Sequence, residues 1–163
     1  MVGEDRLTLQ RAGIDPTLLE VHRTVDPELN TKAATEFLDY VLQTREGVEP
    51  IIGTGGDGKL YLMLKEYRPD GLDYIGRTAK PTVEKRLAQH RGEMPEGYTA
   101  EGVQIARSLS GTEALAMETI LIERGKGLLG NRRVERLATR PDYPQIVGPG
   151  YALLRLWLTK RLG

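Results

Sequence analysis

The sequence predicts an α/β (α+β) domain in which a small antiparallel sheet of three strands is flanked by helices. Three observations carry this. Strand-like runs at residues 59–67 and 72–78 lie on either side of Arg68-Pro69-Asp70-Gly71, which places proline and glycine where turns favour them. A third strand centres on Val103-Gln104-Ile105-Ala106, within residues 101–109. Ser110 and Glu113 then spell S-x-x-E, the capping box of a helix that continues to Arg124.

The elements follow in order. Asp15-Pro16 starts a short helix reaching Glu20, and Asn30 caps a longer one from Thr31 to about Arg45. In that longer helix Ala34, Phe37, Leu38, Val41 and Leu42 share one face and leave an acidic surface outside. Residues 53–58 formally match G-x-G-x-x-G, but a strand follows them instead of a helix, and no Lys-Ser/Thr pair is present. A dinucleotide fingerprint and a P-loop are thereby disfavoured, and the loop reads as the entry to a hairpin. After Pro81 an amphipathic helix spans residues 82–90, turning Val83 and Leu87 inward. Gly125, Gly127 and Gly130 end the helix that the capping box opens. A short helix near residues 134–138, a Pro/Gly-rich loop at 141–150 and an apolar helix or strand at 151–158 complete the chain.

With 163 residues the chain amounts to one domain, since domains average roughly 150 residues. We divide it into a helical extension over residues 1–50 and a core over residues 51–163. No apolar run approaches the ~20 residues of a membrane helix, and no secretory leader is legible, so no membrane partner is expected. Cysteine is absent, which excludes disulfides, thiolate catalysis and cysteine-bound zinc; two histidines, His22 and His90, cannot build a histidine cage. Net charge is zero but unevenly spread. Residues 1–50 hold 5 Lys/Arg against 10 Asp/Glu, residues 51–100 hold 8 against 7, and residues 101–163 hold 10 against 6. Such asymmetry suits a polyanion on one face.

Two features carry chemistry. Glu118 sits in Ala114-Leu115-Ala116-Met117-Glu118-Thr119-Ile120-Leu121-Ile122, apolar on nearly every face. A carboxylate there needs a partner: an arginine, a metal ion, or water at the helix edge. Arg86 and His90, at i and i+4 on one helix, set a guanidinium beside an imidazole, a pair suited to phosphate.

The order of these pieces resembles the GIY-YIG nuclease family. Tyr61 stands on one hairpin strand, Tyr74-Ile75-Gly76 on the next, Arg86 and His90 on the following helix, and then come Glu118 and Asn131. The likeness covers about residues 58–133. The first motif is reduced to Lys59-Leu60-Tyr61, and the spacing from Tyr74 to Arg86 is longer than usual for the family. The resemblance implies an endonuclease that hydrolyses phosphodiester bonds in nucleic acid, DNA ahead of RNA, with Mg2+ or Mn2+ held by Glu118. Arg86 would clamp the scissile phosphate, and Tyr61 or Tyr74 would be the general base. A phenol starts near a pKa of ~10, so a cation such as Arg77 is needed beside it. His90 would assist proton transfer, Asn131 would position a neighbour or a phosphate, and Arg77, Arg91, Arg132 and Arg133 would contact the backbone. A toxin-like effector, a restriction enzyme and a repair-type enzyme all fit, the first with an inhibitor protein as partner; cellular nucleic acid would place its action in the cytoplasm. The alternatives are a nucleic-acid-binding module of this fold without catalysis, and an interaction protein in which Glu118 pairs with an arginine.

Overall fold

A computed structural model describes residues 27–64, 73–79, 82–92, 101–129, 131 and 140–162. In chain order these form helix α1 (Pro27–Thr44), a 3-10 turn (Arg45–Gly47), strands β1 (Ile51–Ile52), β2 (Gly58–Leu64) and β3 (Tyr74–Thr78), helix α2 (Val83–Gly92), strand β4 (Glu101–Leu109), and helices α3 (Gly111–Arg124) and α4 (Tyr143–Leu162). The expected helices at 16–20 and 134–138 and the turn at 68–71 lie outside the described residues.

The sheet has four strands in the order β1-β4-β2-β3, not three. β2 pairs antiparallel with both β3 and β4, as the sequence implied, while Ile51–Ile52 adds a strand parallel to β4, with Ile51 opposite Ala106. The sheet is therefore mixed. A two-residue strand has no periodicity to read, and its pairing is specified by a partner far along the chain.

Alternation along β2 builds two apolar layers. Leu60 and Leu62 face the main core, where they meet Phe37, Leu38 and Val41 of α1, Met117, Ile120 and Leu121 of α3, and Leu154 and Leu158 of α4. Tyr61 and Met63 face the other way, against Leu87 of α2, with Val83 and Tyr74 at the margin. Residues on both sides of position 50 thus share the main core. The acidic side chains of Glu28, Asp39, Glu46 and Glu49 are exposed.

Helix ends follow local chemistry. α1 begins at Pro27, earlier than expected, because proline in a first turn sacrifices no intrahelical bond. Asn30 is consequently inside the helix, and its side-chain oxygen accepts from Arg155 Nη1 instead of capping. Thr82 caps α2 by accepting from Lys85 N at 3.1 Å. The capping box at Ser110 and Glu113 is formed in full, and Glu113 also accepts from Thr54 N at 3.2 Å, tying the glycine loop to α3. The segment expected as a loop at 141–150 is the first half of α4, which continues through Pro149. Close packing explains this: a side chain at Gly150 would come within 2.8 Å of Ile120 Cδ1 and 2.9 Å of Ala116, so α4 gains contact with α3 that offsets the bond lost at proline. Among the described residues no helix is long and apolar enough to cross a membrane.

Candidate active site

β3 is one outer strand of the sheet, and Tyr61, Tyr74, Arg77, Glu118 and Asn131 of the residues singled out from the sequence lie on or beside it. The two strands pair Tyr61 with Gly76 and Met63 with Tyr74, so Tyr61 and Tyr74 occupy the same face, one pleat apart. The Tyr61 ring lies across Gly76, whose missing side chain leaves the space it fills. Sequence reasoning passed over this function of Gly76; the available signal was a glycine inside a strand opposite an aromatic residue. At the outer edge, Asn131 Oδ1 accepts from Ile75 N at 2.9 Å and Nδ2 donates to Ile75 O at 2.8 Å. Its amide stands in for one residue of a neighbouring strand, so it positions the Tyr-Ile-Gly strand and has both ends of its amide engaged.

Glu118 reaches this edge from α3. Its side chain is 21% exposed, and Arg77 Nε lies 3.4 Å from its Oε1. Burial raises its carboxyl above the ordinary range, and the Arg77 guanidinium offsets part of the rise. The arginine partner considered from the sequence is therefore present. Tyr61 is 3% exposed. Burial, then Tyr74, push its hydroxyl up to about 12, with Arg86 pulling the other way and Glu118 adding to the rise. The cation acting on this phenol is thus Arg86; Arg77 is engaged with Glu118.

Arg77 and Arg86 line one cleft of about 440 Å3, opposite Gly56, Asp57 and the N-terminus of α3 at Ser110. Arg86 Nη1 donates to Gln89 Oε1 at 3.0 Å, while its Nε is buried without an acceptor. A buried donor of that kind is costly unless something accepts from it. The helix N-terminus adds positive potential. Arg91 is at the far end of α2, 3.8 Å from Glu84, and both side chains are exposed. The side chain of His90 and residues Arg132 and Arg133 lie outside the described residues.

Among the described residues no three His, Cys, Asp or Glu side chains gather as a metal cage. Asp57 in the cleft lining and Glu118, once released by Arg77, are the carboxylates a hard divalent ion could use here; Mg2+ is commonly held by one or two carboxylates with phosphate and water completing its shell. Comparison with protein-family models, curated proteins and solved structures found no match.

Proposed function

We propose that this protein is a divalent-metal-dependent endonuclease acting on nucleic acid, DNA ahead of RNA, with a core like that of the GIY-YIG nucleases. One observation carries the reading: Tyr61, Tyr74, Arg77, Arg86 and Glu118, drawn from four elements, meet at the β3 edge beside a cleft lined by two arginines.

In this reading the scissile phosphate enters the cleft and takes hydrogen bonds from the Arg86 guanidinium, so that charge developing on the phosphate oxygens meets a fixed cation. Arg77 turns from Glu118 toward the phosphate, freeing the carboxylate. Magnesium or manganese, when bound at Glu118, supplies positive charge and a polarised water. Tyr61 keeps its proton and donates a hydrogen bond, because its hydroxyl is pushed up to about 12. Accepting a proton from the attacking water then falls to Tyr74, the less buried of the two tyrosines, in its phenolate form. The water oxygen bonds to phosphorus and gives its proton to that phenolate, the bond to the leaving ribose oxygen breaks, and the leaving oxygen takes a proton from solvent water.

The experiment is cleavage of plasmid, single-stranded DNA and tRNA, each with and without Mg2+, by the parent, Glu118→Gln, Tyr74→Phe and Tyr61→Phe. Tyr74→Phe should lose about 10²–10⁴-fold in rate, as for loss of a general base, and Tyr61→Phe less. A parent protein inert on all three substrates with Mg2+, and again with Mn2+ in its place, would overturn the reading. A second reading, a binding module of this fold without catalysis, is favoured by the Arg77–Glu118 contact, which already neutralises the carboxylate. It predicts retention of nucleic acid with no cleavage.

A further inference from the structure

The opposite edge of the sheet carries a second site. There β1 is outermost, and a groove of about 570 Å3 opens between it, Arg107 of β4, and the C-terminal half of α4. This is within the range of ~300–1,000 Å3 typical of ligand pockets. Tyr40 and Trp157 form its aromatic wall, with centroids 5.6 Å apart. The Arg161 guanidinium lies over both, 5.0 Å from the Tyr40 centroid and 5.3 Å from that of Trp157. Arg107 and Lys160 complete three exposed cations, against Glu49 as the lining's carboxylate. Among the described residues, none of the three is within ion-pair distance of a carboxylate.

Three cations gathered without counter-ions repel one another, and a bound polyanion relieves that cost. The stacked guanidinium keeps its planar fork in one orientation, ready for two oxygens of a phosphate. Rings and a flat guanidinium also accept the face of an unpaired base, which a duplex cannot offer because its bases are already stacked. We propose that this groove binds a single strand of nucleic acid, phosphates on Arg107, Lys160 and Arg161 and a base against the Trp157–Arg161 stack. The choice of nucleic acid over an acidic peptide rests on the nuclease reading. The two sites lie at opposite edges of four strands, three spacings of about 4.8 Å or ~14 Å apart, so the groove anchors a strand away from the bond being cut.

Trp157 is the chain's single tryptophan, so its emission reports on this groove alone. The full chain is titrated, without divalent metal, with oligothymidylate of about ten nucleotides, within the span of single-strand sites, and with polyglutamate of equal charge. The expected result is saturable quenching by the oligonucleotide, with a log–log salt slope near −2, from three phosphates at ~0.7 each. Arg107→Gln with Lys160→Gln, both at exposed positions, should shrink that slope by about 1.4, while Glu118→Gln leaves the quenching intact. Absence of quenching, equal binding of polyglutamate, or a slope unmoved by the double substitution would each overturn the proposal. Quenching by a protein that cuts nothing counts against the nuclease reading and supports the groove; cutting without quenching does the reverse.

Discussion

A methyl group at position 76 would sit 2.2 Å from Cζ and 2.3 Å from the hydroxyl oxygen of Tyr61, far inside contact distance. Gly76→Ala should therefore expel the ring from the β3 edge, lowering stability by about 1–3 kcal/mol, as for other overpacked sites, and, in the proposed nuclease reading, removing cleavage with it. Gly92→Ala, at an open position, is the control and should leave the melting temperature near that of the parent. Glu118 gives a second test through pH. Its folded carboxyl titrates above the ordinary value of 4.5, so between those two values the folded protein holds a proton that the unfolded chain has lost. Stability from this group falls as pH rises through that window. Glu118→Gln cannot titrate; its melting temperature relative to the parent should climb between pH ~4 and neutrality in metal-free buffer. A difference that stays level, or declines, would contradict the burial assigned to this carboxylate. Glu118 was legible as a polar residue out of place in an apolar run. Arg77 was singled out as a cation for the tyrosine and the nucleic-acid backbone but not as the partner of Glu118, because no sequence spacing sets a strand residue beside a helix residue 41 positions on.

At the scale of elements, the outer edge of β3 is clamped at Ile75 by one side chain. Asn131→Ala removes both hydrogen bonds to Ile75, which should cost about 1–3 kcal/mol at net values of ~0.5–1.5 each. Urea unfolding measures the loss, and faster amide exchange at Ile75 would localise it; an unchanged exchange rate there would show that the strand does not need the clamp. Which elements could be read from the sequence follows from how local their determinants are. The capping box of α3, the strand-like runs of β2 and β4 and the apolar stripe of α1 are written in adjacent residues, and each lies within the element expected. β1 was missed because its only determinant is Ala106 and Arg107 across the sheet. The first half of α4 read as a loop because Gly148, Pro149 and Gly150 are loop formers until packing on α3 makes small residues an advantage. Asn131 was placed at the site only through the family likeness, since nothing near it in sequence announces a strand edge.

The whole molecule closes on a pairing of α1 with α4, where Phe37 meets Trp157 edge to face with centroids 5.0 Å apart. Phe37 is fully buried, and Phe37→Ala should cost about 3–5 kcal/mol, read by thermal or urea melts. For the same reason residues 51–163 expressed without α1 should show no cooperative melt, and a sharp transition from that fragment would mean the core tolerates its loss. The pairing also sets an order of events during synthesis. Asn30 meets Arg155 only when the intervening chain exists, 125 residues later; at roughly 5–20 residues per second that is a wait of about 6–25 s. Throughout that interval the apolar stripe of α1 has β2 and α3 as its available partners but lacks α4. The β3 edge, complete in sequence by residue 131, is made before the helix that secures its core. The candidate site residues are thus synthesised before α4, about 30 positions or on the order of a few seconds earlier, and the core closes over them only when that helix arrives.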